Sequence, residues 1–253
     1  MIGKIHITGI GPGDNQYLLP ITATSIQNAD VLIGYQYYFQ FIENHINQNC
    51  KRIERNLKEE RLRAKEAISY ANDGNNVTVI SSGDAGIYAM AAIVFEEMAR
   101  SEKDVEIKVI PGISAFQLAA SRLGAPIGHD FCTLSLSNLL TPWETIQNRI
   151  TAAAKGDFIT AVYNPKSKKR DWQLQALKDE FLQVRSSETP VAICKQLGRK
   201  NEETHICRLN ELDISKVDMF SIVMIGNSQT FISGNKMITP RGYYNNEITE
   251  SDK

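Results

Sequence analysis

Short runs of β-branched apolar residues alternate with helical patterns through the first half of the chain. This alternation is typical of α/β proteins whose strands are mostly parallel. The pattern predicts strands around residues 4–10, 30–34, 77–80 and 105–110, and helices over residues 18–28, 59–72, 87–100 and 116–123. The first half is therefore predicted to form a mostly parallel sheet with helices.

The alternation breaks at residues 124–130, and we place a domain boundary there. Beyond the break, apolar runs predict strands over residues 131–134, 158–163, 190–195, 203–208 and 219–225. Two of the later connections are too short for full helices, so this half is predicted to be a mixed sheet. The predicted division is an N-terminal α/β domain over residues 1–125, a C-terminal α/β domain over residues 126–242 and a flexible tail over residues 243–253.

The first clear helix of the second half has a recognisable start signal. Thr141 is expected to cap it, Pro142 to take the first helical position and Glu144 to complete a capping box. That helix is predicted to end near Ala154, and a second helix is predicted to end at Val184.

Three loops rich in glycine and other small residues follow predicted strands, at residues 9–14, 81–86 and 111–115. Because ligands bind at the carboxyl ends of strands in open α/β sheets, three such loops predict a binding site at one edge. A dinucleotide fingerprint is excluded, since its third glycine is replaced by the anion Asp14 and Pro12 removes a backbone donor. The first loop therefore suits a ligand without phosphates.

Asp84, in the second loop, has two interpretations. It either caps the following helix or accepts hydrogen bonds from a hydroxyl or amine of a ligand.

A basic run at residues 164–170 precedes the helix that ends at Val184. Cations are disfavoured at a helix N-terminus by the helix dipole, so four of them there indicate an anionic ligand. The alternative is a solvated loop that Asp171 partly compensates.

Composition narrows the classes of function. At 253 residues and a net charge of −1, the chain lacks the basic excess of a general nucleic-acid or membrane-surface protein. Its four cysteines have no metal-ligand spacing, so we expect reduced structural thiols and no metal. We see no secretory leader and no apolar run of roughly 20 residues that would span a bilayer, and we therefore expect a cytoplasmic protein.

Taken together and in order, these motifs resemble the tetrapyrrole (corrin/porphyrin) methylase family, which transfers methyl groups from S-adenosylmethionine. The matching segments are residues 9–14, 82–84 and 110–115 in the first half, and residues 201–203 and 223–228 in the second. The resemblance implies a two-domain α/β fold with the cofactor in the interdomain cleft. It also implies a homodimer, and S-adenosylhomocysteine as a product.

Further stretches narrow the resemblance, at residues 123–131, 134–143 and 163–167. They are similar to members that methylate precorrin-3B or cobalt-factor III at the ring D carbon, with coupled ring contraction, in cobalamin biosynthesis. Relatives mostly carry Asp where this chain has Asn138, so the resemblance assigns no catalytic role there.

The resemblance also implies site residues. The expected cofactor contacts are Pro12, Ser82, Gly83, Asp84, Ile87, Ser114, Ala115, Asn164 and Leu197. Tyr35 and His129 are the candidates for acid–base catalysis, and the alternative for each is a structural core residue. An anionic tetrapyrrole needs cations, for which the candidates are Lys166, Lys168, Lys169 and Arg170.

Two other classes of function keep the same cofactor loops. One is a methylase of the same fold that acts at another tetrapyrrole position, or on protein or RNA. The other is a non-catalytic S-adenosylmethionine sensor. The expected partner is the tetrapyrrole substrate rather than nucleic acid or a membrane.

Overall fold

A computed structural model of the chain describes residues 2–167 and 170–243. The chain divides into two compact units, Met1–Ala115 and Phe116–Lys253. The predicted domain boundary at residue 125 falls inside the second unit and stays a prediction. Lys168, Lys169 and nearly all of the predicted tail lie outside the described residues.

The first unit alternates strands and helices as the apolar pattern predicts. Its elements are β1 (Lys4–Gly9), α1 (Pro20–Gln27), β2 (Val31–Tyr35), α2 (Gln36–Phe39), β3 (Lys51–Arg55), α3 (Glu60–Asn72), β4 (Asn76–Ser81), α4 (Met90–Ala99) and β5 (Glu106–Ile110).

The five strands of this unit form one sheet in the order β3-β2-β4-β1-β5, and every pair is parallel. This arrangement confirms the parallel sheet predicted from the sequence. Ile5 and Ile7 of β1 are fully buried in a core that also contains Ala64 and Ala67 of α3 and Val94 of α4. Because all five strands run the same way, their carboxyl ends lie at one edge of the sheet.

The second unit contains more antiparallel pairing. Its elements are α5 (Ala115–Leu123), which starts at the last residue of the first unit, β6 (Gly124–Ala125), β7 (Phe131–Ser135), α6 (Trp143–Lys155), β8 (Ile159–Tyr163), α7 (Gln173–Val184), β9 (Pro190–Lys195), β10 (Glu203–Arg208), β11 (Ser221–Ile225), β12 (Phe231–Ser233) and β13 (Lys236–Ile238).

The main sheet of this unit has the order β10-β9-β11-β8-β7. Only β7 and β8 pair in parallel among its described strands, so the prediction of a mixed sheet is confirmed. A small second sheet joins β12, β13 and β6. Leu174, Leu177 and Phe181 of α7 are completely buried against the main sheet and α6.

Several local features differ from the predictions, which did not include the short elements α2, β6, β12 and β13. Strand β3 was not predicted, because Ile53 is the only apolar residue in its sequence. Helix α4 begins at Met90 rather than at residue 87, since Tyr88 has a left-handed backbone with φ of 52°. The capping box at Thr141 and Glu144 is wrong: the N-cap of α6 is Pro142, with φ of −55° and ψ of 142°, and it makes no side-chain capping hydrogen bond.

We also examined the helices for membrane-spanning character. Within the described part of the chain, no helix combines the length and apolar character that crossing a bilayer requires.

Candidate functional site

The three small-residue loops lie side by side at the carboxyl edge of the first sheet. They follow β4, β1 and β5, which are neighbours in the sheet. The backbones of Gly11 and Gly83 bond to each other in both directions, at 3.1 and 2.7 Å. The first two loops are therefore fastened together by their main chains.

Glycine is required where the third loop meets the other two. A Cβ atom on Gly112 would lie 2.2 Å from the carbonyl oxygen of Gly83 and 2.8 Å from the carbonyl group of Gly9. A Cβ atom on Gly9 would lie 2.5 Å from the same Gly83 oxygen. Since every one of these neighbours is backbone, the three loops approach closely only because the side chains are absent.

Asp84 joins the second loop to the third. Its Oδ1 accepts a hydrogen bond from the Gly86 backbone N–H at 2.7 Å, and its Oδ2 accepts one from the Gly112 N–H at 3.0 Å. Helix α4 begins six residues later, at Met90, so Asp84 does not cap it. A carboxylate has about four acceptor positions, and these two bonds leave capacity for a ligand donor.

Seven of the predicted cofactor contacts belong to these loops or follow them directly. Pro12 and Ser114 are buried, whereas Ser82, Ile87 and Ala115 are half-buried. Gly83 has a left-handed φ of 68°, and Asp84 carries the only carboxylate among the seven. The structure brings all seven to one edge of one sheet, and their role as cofactor contacts stays a prediction.

Tyr35 ends β2, the neighbour of β4, and therefore lies at the same edge. Its ring is half-buried and packs edge-on against Tyr38, with centroids 5.2 Å apart, and against Tyr37 at 6.2 Å. The aromatic residues after β2 thus pack on one another. The catalytic role of Tyr35 stays a prediction.

The second unit has an equivalent edge, formed where β7, β8 and β9 end. Strands β8 and β9 run the same way because both are antiparallel to β11. Asn164, just after β8, has φ of 49°, and its Nδ2 donates to Ser135 Oγ at 3.0 Å. Leu197 is buried just after β9 and follows Gln196, whose φ is 50°. The two remaining predicted cofactor contacts therefore share this edge, and sequence reasoning missed Ser135, which holds one of them.

The basic run has internal partners where the structure describes it. Lys166 Nζ donates to the Ile214 carbonyl at 3.1 Å. Arg170 is buried, and its Nη1 donates to the carbonyls of Leu136, at 3.2 Å, and Asn164. Burial lowers the pKa of Arg170. Arg170 is thus inside the protein rather than in a solvated loop, and the substrate role of the basic run stays a prediction.

His129 lies in the segment between β6 and β7, and its side chain is exposed. Thr239 holds this segment, because its Oγ1 donates to the Pro126 carbonyl at 2.6 Å and its backbone packs on Gly128. The exposed position contradicts the alternative of a buried structural histidine. The catalytic role of His129 stays a prediction.

A cavity of about 510 Å³ lies in the second unit near the amino ends of β8 and β9. Of the predicted site residues that the structure describes, none lines it. Arg185, which does, is buried and donates to four backbone carbonyls at 2.5–3.2 Å, those of Ala153, Ala154, Phe158 and Gly226. This guanidinium satisfies carbonyls at the end of α6, which is a structural role.

The cysteines are free thiols, as the sequence predicts. Burial raises the pKa of Cys194 to about 12, so this thiol stays protonated and is a poor nucleophile near neutral pH. Among the described residues, no group of three or more His, Cys, Asp or Glu side chains is placed to hold a metal ion.

The packing of the three loops makes a specific prediction about Gly112. We expect Gly112→Ala to lower the free energy of unfolding by about 1–3 kcal/mol, because its Cβ atom overlaps two backbone segments. Gly86→Ala is the matched control, since its Cβ atom would meet only Asp84 Oδ1, at 3.3 Å. Urea unfolding of the two variants measures the difference. Equal stabilities would contradict the close packing described here.

Comparison with known proteins finds similar methyltransferases in several bacteria. The chain is 44% identical over 247 residues to the cobalt-factor III methyltransferase of Priestia megaterium. This match covers 96% of the chain and 46% of that protein. It is 41% identical to the probable cobalt-factor III C(17)-methyltransferase of Salmonella typhimurium, with 94% and 99% covered. It is 36% identical to the precorrin-3B C(17)-methyltransferase of a Sinorhizobium species, with 96% and 98% covered.

The chain thus spans about half the length of some of these relatives and nearly the whole length of others. Among solved structures, the methyltransferase CobJ is similar with a TM-score of 0.88 and 31% identity, covering 94% of this chain and 100% of that one. Uroporphyrin-III C-methyl transferase of Thermus thermophilus, solved with S-adenyl homocysteine, has a TM-score of 0.67 and 18% identity, with 88% and 92% covered. At this low identity, the similarity to the Thermus thermophilus enzyme shows only a shared fold.

The sequence model of the family described as Tetrapyrrole (Corrin/Porphyrin) Methylases matches residues 4–213, which include all three small-residue loops and most of the second unit. Together with the parallel first sheet, the mixed second sheet and the relatives above, this match shows that the chain belongs to the tetrapyrrole methylase family.

Proposed function

We propose that this chain is an S-adenosylmethionine-dependent C-methyltransferase of cobalamin biosynthesis. Its substrate is precorrin-3B or cobalt-factor III, which it methylates at the ring D carbon with coupled ring contraction. The names of relatives that the chain matches over nearly their whole length support this proposal, as does the likeness to CobJ.

The assignment of the cofactor rests on the charged residues of the three loops. Residues 9–14, 82–87 and 111–115 contain no Lys or Arg and two carboxylates, Asp14 and Asp84. S-adenosylmethionine has no phosphate, and its sulfonium and ammonium groups outweigh its one carboxylate. A loop cluster with carboxylates and without cations therefore attracts this cofactor and repels nucleotides whose phosphates need neutralising.

The residues present fit this group. The close packing of Gly9, Gly83 and Gly112 exposes backbone rather than side chains to a ligand, and Asp84 keeps acceptor capacity for a ribose hydroxyl or an amine. When bound, S-adenosylmethionine supplies an electrophilic methyl group. The chain contributes alignment of the two reactants and exclusion of water from them.

Ring contraction also requires proton transfers, for which we propose Tyr35 and His129. Tyr35 shares the sheet edge of the three loops, and the imidazole of His129 is exposed. Lys166, Lys168, Lys169 and Arg170 are proposed to attract the carboxylates of the macrocycle. Asn164 and Leu197 of the second unit are proposed to contact the cofactor.

We further propose that the protein is a cytoplasmic homodimer. Its four free thiols are consistent with a reducing compartment. Sedimentation equilibrium measures the oligomeric state, and a mass equal to that of one chain would contradict the dimer.

Asp84 gives a prediction that separates cofactor binding from loop structure. We expect Asp84→Asn to weaken S-adenosylhomocysteine binding at least tenfold, about 1.4 kcal/mol, because the amide nitrogen cannot accept a hydrogen bond. Asp213→Asn is the matched control, since Asp213 lies outside the three loops and its Oδ1 accepts from the Ser215 N–H at 2.9 Å. Isothermal titration calorimetry measures both. Equal weakening by the two substitutions would argue against a specific role for Asp84.

The function itself is tested by the mass of the product. The protein and S-adenosylmethionine are incubated separately with precorrin-3B and with cobalt-factor III under anaerobic conditions. We expect one added methyl group in a ring-contracted product from one of the two substrates. A protein that binds the cofactor and methylates neither substrate would instead be another methylase of this family or a sensor.

A further inference from the structure

Two consecutive leucines project into solvent in the loop between β7 and α6. Leu139 is 74% exposed and Leu140 is 97% exposed. Single exposed apolar side chains are common on protein surfaces, but a contiguous group is more often a binding surface. The loop that carries these leucines follows the carboxyl end of β7, at the edge where Asn164 and Leu197 also lie.

Trp143 follows Leu140 by three residues along the chain, and the second tryptophan, Trp172, packs on Trp143. Trp143 begins α6, immediately after the loop, and Trp172 is the N-cap of α7. Their rings pack edge to face, with centroids 4.6 Å apart, and Trp172 remains 49% exposed. We call Leu139, Leu140, Trp143 and Trp172 together the leucine–tryptophan surface.

Polar contacts hold this surface in place. Gln173 Nε2 donates to Asn138 Oδ1 at 3.5 Å, and Arg170 Nη1 donates to the Leu136 carbonyl at 3.2 Å. Both contacts, like the tryptophan pair, connect the loop after β7 to the start of α7. The exposed leucines are thus carried by a loop that is fixed at several points.

The surroundings of the surface suit anionic groups. Helices α6 and α7 both begin here, and the side chains of their N-cap residues, Pro142 and Trp172, make no capping hydrogen bond. Lys166 and Arg170 add two positive charges, and Glu144 and Asp171 add two negative ones, so the helix N-termini carry the remaining attraction for an anion. Charge-assisted hydrogen bonds to two open helix N-termini are therefore available beside an apolar surface.

We propose that the leucine–tryptophan surface holds one apolar face of the tetrapyrrole macrocycle, whose carboxylate side chains point toward the amino ends of α6 and α7. This inference rests on the proposed function and identifies where that substrate is held. A flat apolar ring with an anionic periphery matches both the surface and its surroundings. A second copy of the chain is a poorer match, because a stable interface takes about 800 Å² from each partner, which is more than these four side chains supply.

The surface carries its own spectroscopic probe. Since the chain has only two tryptophans and both belong to the surface, its indole fluorescence reports on this location. Titration with cobalt-factor III or precorrin-3B, in the presence of S-adenosylhomocysteine, should quench that fluorescence and yield the dissociation constant of the tetrapyrrole.

The test compares the Leu139→Ser/Leu140→Ser double variant with the wild-type protein. We expect the double variant to bind the tetrapyrrole at least tenfold more weakly and to have a correspondingly raised KM. Its affinity for S-adenosylhomocysteine and its thermal unfolding should be unchanged, because both leucines are exposed. Ile232→Ser is the control, since Ile232 is also an exposed apolar residue of the second unit, at 41%, and lies on β12.

Two results would overturn the inference. One is an unchanged tetrapyrrole dissociation constant in the double variant while the wild-type protein binds and methylates its substrate, in which case the proposed function survives alone. The other is a change in sedimenting mass with unchanged substrate affinity, which would assign the surface to a second copy of the chain. A wild-type protein that binds S-adenosylhomocysteine and no tetrapyrrole would overturn the proposed function and this inference together.

Discussion

The close approach of three backbone segments at the edge of the first sheet is the constraint on which the candidate site depends. Gly9, Gly83 and Gly112 contact one another through main-chain atoms, and Asp84 joins two of the loops through both of its oxygens. The parallel order β4-β1-β5 makes this possible, because it delivers three loops to adjacent positions. The result is an edge formed by backbone groups and the Asp84 carboxylate, in three loops whose sequences contain no Lys or Arg.

The second unit uses different means to shape its own edge. Asn164 and Gln196 adopt left-handed backbone conformations just beyond β8 and β9, and a side-chain bond from Asn164 reaches Ser135 at the end of β7. Arg170, although a charged residue, is buried and donates hydrogen bonds to the backbone carbonyls of Leu136 and Asn164. In each unit, hydrogen bonds therefore connect the loops at one edge of the sheet. The exposed apolar loop after β7 lies at the edge of the second unit.

Much of this organisation follows from sequence patterns. The apolar strands β1, β2 and β4 are predictable because buried parallel strands need continuous apolar runs. The glycines after β1 and β4 are predictable because tight loops need glycine. Strand β3 was missed because a charged edge strand with only Ile53 inside lacks such a run. The partners of Asn164, Lys166 and Arg170 were also out of reach, because they lie in segments distant along the chain. The resemblance of the sequence motifs was specific enough to identify the family. The contacts that position individual side chains could be seen only in the structure.

We have proposed that the three small-residue loops of the first unit bind S-adenosylmethionine or its product. Hydrogen exchange of backbone amides, with and without S-adenosylhomocysteine, tests this most directly because it reads each loop separately. We expect slower exchange on ligand addition at residues 9–14, 82–87 and 111–115, and little change around the cavity near Arg185. Protection confined to that cavity, or no protection in the three loops at saturating ligand, would contradict it.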